Sequence, residues 1–132
     1  MSTFVDTSGL FAVLDAASAD HQRARIAWNS LLESTEPLFT TSYVVVESYA
    51  LVQARFGLEA VRTLQADIFP LVEILWVNEA LHRSAVTALL TAQRRSLSLV
   101  DCTSFEAMRQ AGITRAFAFD RDFEQQGFQP VA

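Results

Sequence analysis

The feature that most constrains the fold is an alternation of apolar runs and acids in the last third of the chain. Two apolar runs, Leu97–Val100 and Phe117–Phe119, are each followed directly by acids, namely Asp101, Asp120 and Asp122. Between them, Thr103–Glu106 matches a capping box, which predicts that a helix begins there. A strand, a helix and a second strand form an α/β crossover unit. Ligands of such units bind outside the carboxyl ends of the parallel strands, where we expect these acids to lie.

The first residues of the chain repeat this pattern. Thr3–Asp6 is predicted to be a strand that ends in an acid, and Leu10–Ala17 is predicted to be the helix that follows. A single aspartate at a strand end often does no more than cap the next helix. Parallel strand ends converge on one crevice, however, so Asp6, Asp101 and Asp120 at equivalent positions predict a shared acidic site.

The middle of the chain continues the alternation of helices and strands. Asp20 is predicted to cap a helix through Leu32, and Asn78 to cap one through Arg95. Further helices are predicted over 42–56 and 58–69, and strands over 38–40, 72–77 and 127–131. The run Tyr43–Val46 also has strand propensity, but the whole segment to Phe56 is too long for a usual strand. These patterns predict an α/β fold with a mainly parallel sheet in one domain, residues 1–132, without linkers or repeats.

Hydropathy and cysteine content indicate in which cellular compartment we expect the protein. Half of the residues (51%) are hydrophobic, which is enough for a sizeable core. No apolar run reaches the ~18 residues of a membrane span, and the first residues do not resemble a signal peptide. Because Cys102 is the single cysteine, no internal disulfide can form. We therefore expect a cytoplasmic protein with no membrane segment.

The acids of the chain divide into five candidate site residues and ten others, whose charge the basic residues balance. The net charge is −5, with 15 acids and 10 basic residues, and every basic residue is arginine. When five candidate site acids are set aside, ten acids remain against ten bases; the five are Asp6, Glu47, Asp101, Asp120 and Asp122. Divalent ions would offset the charge of the five locally. The absence of lysine excludes a P-loop and disfavours receiver domains, which also carry acids at strand ends.

The chemistry of clustered carboxylates points to a hard divalent cation. Repelling carboxylates are tolerable together when a cation binds them, and oxygen ligands suit Mg²⁺ or Mn²⁺. Zinc is a poor candidate, because the chain has one cysteine and two scattered histidines. Dehalogenase-type phosphatases need a second aspartate where this chain has Ser8, and Cys102 has no histidine partner in the sequence. Metal-assisted phosphodiester hydrolysis fits the acids best.

Four segments together resemble PIN-domain ribonucleases, and in particular the VapC-like toxins of toxin–antitoxin pairs. They are Phe4–Ser8, Glu47 in its helix, Val100–Phe105 and Phe119–Phe123. The resemblance covers essentially the whole chain through the order and spacing of the segments. It implies a three-layer α/β/α sandwich with a short parallel sheet, and a Mg²⁺- or Mn²⁺-dependent endoribonuclease that acts on single-stranded or looped RNA.

The resemblance also implies roles for individual residues. The four catalytic and metal-binding acids would be Asp6, Glu47, Asp101 and Asp120, and Asp122 matches an additional metal-binding acid found in part of the family. Hydroxyls that support an acid or a water would come from Thr7 and Thr103. The chain departs from the pattern at Ala118, where many relatives carry a polar residue. Glu47 lies on a mostly apolar helix face, and composition gives no reason for a carboxylate there. The family resemblance gives one, because the helix would direct this carboxylate into the same crevice as the other acids.

Partners follow from the same resemblance and from the surface composition. VapC-like toxins are usually homodimers that a co-expressed antitoxin inhibits. The chain also has more large aromatic residues than one small core needs, which agrees with an interface: Trp28, Phe69 and Trp76. Arginine is the only base, so we expect RNA to be bound by Arg121, Arg94 and Arg95 around the crevice. The alternative interpretation is a PIN-like module that binds RNA or a protein partner without catalysis.

Overall fold

A five-stranded, entirely parallel sheet organises the computed structural model, which describes all 132 residues. The strands are β1 Thr3–Val5, β2 Leu38–Thr41, β3 Glu73–Leu75, β4 Arg115–Phe117 and β5 Gln129–Pro130, in the spatial order β3-β2-β1-β4-β5. The helices are α1 Thr7–Leu14, α2 His21–Ser34, α3 Ser42–Phe56, α4 Leu58–Thr63, α5 Glu79–Ala92, α6 Leu99–Ala111 and α7 Arg121–Gln125. The central strand β1 therefore pairs with β2 and β4.

Successive residues of the central strands point into two separate cores. Val5 and Phe117 pack with α1, α2 and α3 on one face of the sheet, in the same cluster as Trp28. Phe4 and Ala116 pack with residues from α5, α6 and α7 on the other face. This separation follows from the two-residue repeat of a strand. The predicted three-layer α/β/α sandwich is confirmed.

The start of α1 is fixed by a cap and by a close approach to the sheet. Asp6 caps the helix by accepting a hydrogen bond from the Ser8 amide, so α1 begins at Thr7 and not at Leu10 as predicted. A Cβ at Gly9 would lie 2.5 Å from the carbonyl oxygen of Phe117. Because glycine leaves this space empty, the first turn of α1 can lie directly against the end of β4.

The predicted strand at Leu97–Val100 is wrong, and so is the capping box at Thr103–Glu106. Helix α6 begins at Leu99, and its capping box is formed by Ser98 and Asp101. The Ser98 hydroxyl accepts from the Asp101 amide at 3.0 Å, and the Asp101 carboxylate accepts from the Ser98 amide at 3.2 Å. Leu97 is buried in the core just before this cap. The apolar run is therefore the entry and first turn of a helix, as in a hydrophobic staple.

Other element boundaries differ from prediction near helix breakers and at the sheet edges. The helix predicted over 58–69 ends at Thr63 and continues as one wide π turn, Leu64–Ile68, and a 3₁₀ turn that contains Pro70. Proline has no amide hydrogen for the helical ladder. The strand predicted over 72–77 shrinks to β3, and the edge strand predicted over 127–131 to β5. Helix α5 ends at Ala92, while its predicted Asn78 cap is confirmed.

None of the helices combines the length and the apolar content that crossing a membrane requires.

The cap of α6 can be tested directly. We expect Ser98→Ala to lower the free energy of unfolding by ~1 kcal/mol, because the Asp101 amide loses its acceptor. Urea denaturation measures this change. The matched control is Ser96→Ala, an exposed serine two residues earlier, which should stay within ~0.5 kcal/mol of the parent. Equal effects of the two substitutions would contradict the helix start at Leu99.

Candidate active site

Four carboxylates converge at the carboxyl edge of the sheet. Asp6 directly follows β1, and Asp120 caps α7 shortly after the neighbouring strand β4. Glu47 lies in the second turn of α3, and Asp101 in the first turn of α6. All four line one open cleft of about 500 Å³. The predicted meeting of Asp6 and Asp120 at strand ends is correct, whereas Asp101 reaches the cleft from a helix.

Asp6 is the most buried of these acids and has a fixed orientation. Its side chain is 4% exposed, and its Oδ2 accepts hydrogen bonds from the amide (3.1 Å) and the hydroxyl (2.6 Å) of Ser8. The same hydroxyl accepts a hydrogen bond from the amide of Phe119 at 3.0 Å. Ser8 thereby connects the end of β1 to the chain that leaves β4.

The two predicted supporting hydroxyls lie in different environments. Thr7 is buried at the cleft, shares a hydrogen bond with Ser48 at 3.1 Å, and partly offsets the rise in the pKa of Glu47. Thr103 is also buried, but its hydroxyl donates to the carbonyl oxygen of Leu99 at 2.8 Å. The single proton of Thr103 is thus used by the backbone of its own helix. The structure places Thr7, but not the hydroxyl of Thr103, beside the acids.

Burial makes ionisation of the acids unfavourable. Desolvation raises the pKa of Asp6 to about 7, against the lowering effect of the Ser8 hydrogen bonds; the charges of Asp101 and Glu47 raise it further. Desolvation is also the main cause that raises the pKa of Glu47 and of Asp101, and neighbouring carboxylates add to both. The site therefore favours a bound positive charge or a proton.

Asp122 belongs to a second group that overlaps the first. One carboxylate oxygen each of Asp101, Asp120 and Asp122 lies within 4.8 Å of the others. Asp122 is buried, its Oδ1 accepts from Arg94 at 2.8 Å, and it does not line the main cleft. Asp101 and Asp120 are therefore shared by the two groups, and Asp122 already has a cationic partner.

No arginine lines the acidic cleft, so the predicted RNA-binding arginines all lie outside it. Arg94 is paired with Asp122, and Arg95 is exposed. Arg121 is exposed and lines a smaller neighbouring cleft together with Phe119 and Asp120.

A family model described as the PIN domain matches residues 3–129 of the chain. The chain belongs to the PIN-domain family. It is 35% identical over 129 residues to the 23S rRNA-specific endonuclease VapC20 of Mycobacterium tuberculosis, a match that covers 97% of this chain and 96% of that protein. The predicted resemblance to VapC-like PIN domains is confirmed.

Two solved structures agree with the fold. The crystal structure of M. tuberculosis VapC20, described as a sarcin–ricin loop cleaving toxin, superposes with a TM-score of 0.83 at 34% identity, covering 96% of this chain and 95% of that one. FitAcB from Neisseria gonorrhoeae superposes with a TM-score of 0.69 at 17% identity, covering 98% and 96%. At this lower identity the second match supports the fold alone.

The donor set of this PIN domain fits a hard divalent cation. Only oxygen ligands line the cleft, and carboxylates held together in this way suit Mg²⁺ or Mn²⁺. The nitrogen and sulfur ligands that zinc favours are engaged elsewhere: His21 with the carbonyl oxygen of Ala12, His82 with Tyr43, and Cys102 in the core. These contacts give the same reason as the sequence for regarding zinc as a poor candidate.

Sequence reasoning missed three residues of this PIN-domain site. Ser8 orients Asp6, Ser98 caps the helix that carries Asp101, and Asp20 lines the cleft from the loop before α2. The Asp-Thr-Ser order contained a signal for Ser8, because a serine two residues after an aspartate can close a turn on its carboxylate. A pattern of the same kind, Ser98 three residues before Asp101, was available for the capping box. No local pattern points to Asp20.

The raised pKa of Asp6 predicts how the metal-free protein responds to pH. The unfolded carboxyl titrates near ~4 and the folded one at about 7, so between these values the folded state binds more protons. The free energy of unfolding should therefore fall as pH rises from ~4 to about 7, by ~1.4 kcal/mol for each unit of pKa difference. Urea denaturation in EDTA at pH 5 and pH 8 measures the loss.

Asp6→Asn should reduce this loss, because the amide does not titrate and can still accept from the Ser8 amide. The control is Asp67→Asn, which removes an exposed carboxylate in the π turn and should keep the parent's pH dependence. If Asp6→Asn and Asp67→Asn lose stability equally between pH 5 and pH 8, Asp6 does not have the raised pKa.

Proposed function

We propose that this protein is a metal-dependent endoribonuclease and the toxin of a toxin–antitoxin pair. The observation that carries the proposal is the convergence of Asp6, Glu47, Asp101 and Asp120 in one cleft of a PIN domain. Its relative VapC20, 35% identical along nearly the whole chain, is a 23S rRNA-specific endonuclease.

The charge of the cleft explains why a cation is needed. A phosphodiester is an anion and is repelled by four clustered carboxylates, so Mg²⁺ or Mn²⁺ is the partner that lets RNA approach. The four acids would hold the ion, and Asp122 would take part only in competition with its ion pair to Arg94. When bound, such an ion stabilises the negative charge that develops on the phosphate oxygens during hydrolysis.

The residues of the chain orient the acids before any substrate binds. The two bonds from Ser8 hold the Asp6 carboxylate in one orientation, and the hydrogen bond between Thr7 and Ser48 connects the start of α1 to α3, the helix that carries Glu47. Asp101 lies in the first turn of α6, where the partial positive charge of a helix N-terminus stabilises an anion. Because these positions are set by packing and hydrogen bonds, little reorganisation is left for the reaction.

We propose single-stranded or looped RNA as the substrate, with ribosomal RNA as the first RNA to test. The support is the relative VapC20, which acts on 23S rRNA and whose structure is described as that of a sarcin–ricin loop cleaving toxin. The cytoplasm is the proposed location, since it contains ribosomal RNA and keeps Cys102 reduced.

The substitution Asp101→Asn tests whether Asp101 belongs to an active site or only caps helix α6. In the parent, Mg²⁺ or Mn²⁺ should raise the free energy of unfolding by RT ln(1 + [L]/Kd), ~2.7 kcal/mol at a hundredfold excess over Kd. Asp101→Asn should lose most of that gain together with RNA cleavage. Its metal-free melting temperature should be equal or higher, because the raised pKa of Asp101 marks its ionised form as unfavourable in the fold.

The matched control is Glu106→Gln on the same helix, which should keep both the metal response and the cleavage. Melting curves with and without metal, run beside a cleavage assay with an EDTA arm, give the answer. A destabilised Asp101→Asn protein that still cleaves RNA would contradict the assignment of Asp101 to the active site. Metal binding by a parent protein that cleaves nothing would favour the non-catalytic module.

We further propose a homodimer and inhibition by an antitoxin protein. Trp28 and Phe69 are buried, so they belong to the core and do not support an interface. Trp76 is 75% exposed beside the edge strand β3, where a second chain can cover it. A separate inhibitor is expected because unrestrained cleavage of cellular RNA by a toxin would harm the cell that makes it.

Light scattering at tens of micromolar protein should give the mass of a dimer, and Trp76→Ser should shift it towards the monomer, since burial of the indole drives the association. The control is Ile26→Ser, which removes an exposed apolar side chain of α2 near the opposite edge of the sheet. A monomeric parent would contradict the dimer.

A further inference from the structure

A second, smaller cleft lies beside the acidic cleft and shares two residues with it. Its volume is about 220 Å³, and both Phe119 and Asp120 line it as well as the acidic cleft. Two arginines, Arg23 and Arg121, lie on its walls. The two clefts therefore adjoin at Phe119 and Asp120, and the smaller one, whose walls also include Glu124, has two guanidinium groups that the acidic cleft lacks.

The ring of Phe119 is held in place on several sides. Its amide donates to the Ser8 hydroxyl, which in turn donates to Asp6, so one serine separates this aromatic residue from a catalytic acid. The ring meets Phe117 edge to face, with centroids 6.1 Å apart. The guanidinium of Arg23 lies over the ring at 5.2 Å from its centroid. Phe119 is nevertheless only partly buried, so it remains open to the cleft.

Neither arginine makes a strong polar interaction within the chain. Arg23 forms an ion pair with Asp20 at 3.0 Å, but the side chains are 63% and 41% exposed, and such surface pairs contribute little. Arg121 is exposed and makes no ion pair or side-chain hydrogen bond. A phosphate that enters the cleft therefore displaces at most one weak interaction.

We propose that this small cleft is a nucleotide subsite, in which a base next to the cleaved bond stacks on the Phe119 ring while Arg23 and Arg121 contact the adjoining phosphates. Aromatic rings and guanidinium planes are the surfaces on which proteins stack unpaired bases. The inference rests on the proposed ribonuclease function and adds the residues that position the strand. Phe119 and Arg23 are positioning residues of this reaction: Phe119 lines both clefts, and Arg23 lines the smaller one.

The decisive experiment compares the binding of a short, labelled single-stranded RNA with that of its abasic analogue, which has the same sugar-phosphate backbone without bases. Fluorescence anisotropy in Mg²⁺, with phosphorothioate linkages that resist cleavage in both RNAs, measures the two affinities while the charge of the acids is offset. The parent should bind the RNA with bases about tenfold more tightly, in the range that stacking of one base gives. Phe119→Leu should reduce this ratio to near one, and Phe119→Tyr should restore it.

The ratio is insensitive to a purely structural role of Phe119, because a misplaced loop would weaken the binding of both RNAs alike. Arg23→Gln should weaken both and reduce the salt slope of binding by ~0.7, the value for one phosphate contact. Arg25→Gln is its matched control, since Arg25 is exposed two residues along the same helix and faces another direction.

Two results would overturn the subsite. One is a Phe119→Leu protein that keeps the parent's preference for bases, and the other is an Arg23→Gln protein that binds like Arg25→Gln; either would leave the cleft to a protein partner. Failure of the proposed function is a separate result, namely no metal-dependent cleavage by the parent. The binding measurements use RNAs that resist cleavage, so they do not depend on catalysis and remain decisive in that case.

Discussion

The rest of the site depends on the two hydrogen bonds that the Ser8 hydroxyl forms. This hydroxyl donates to Asp6 at the end of β1 and accepts from the amide of Phe119 beyond β4. The two strands are neighbours in the sheet, and the missing side chain of Gly9 allows α1 to lie against β4. One small polar side chain thus fixes the distance between two strand ends, and with it the relative positions of Asp6 and Asp120.

The acids are held together by packing and hydrogen bonds against their own electrostatics. Burial, with the charges of Asp101 and Glu47, raises the pKa of Asp6 to about 7 against the Ser8 hydrogen bonds, so the ionised site is a strained arrangement at neutral pH. The two cores on either side of the sheet hold the acid-bearing elements in place. A cation relieves the strain, which is why metal binding and stability are expected to be coupled in this protein.

The fold and part of the site could be predicted from the sequence, and the reason differs from one residue to the next. Asp6 and Asp120 were found because apolar runs end at them, and their strands are adjacent and parallel. Asp101 was found from a pattern that the structure contradicts, since Leu97–Val100 is a helix entry; an apolar run of four residues does not distinguish the two. Glu47 was identified through the family resemblance, because its position depends on how α3 packs, which no local pattern encodes.

The distribution of charge explains how an acidic chain can act on an acidic polymer. The acidic cleft contains no arginine, while Arg23 and Arg121 lie in the cleft next to it and Arg94 lies on Asp122. A guanidinium within the acidic cleft would compete with a cation for the carboxylates, and Arg94 already forms an ion pair with Asp122. Arginines displaced to the neighbouring cleft can attract the RNA backbone without neutralising the ligands. Phe119 lies between the acids of the first cleft and these two arginines, an arrangement that would let the proposed site bind a cation and an RNA phosphate side by side.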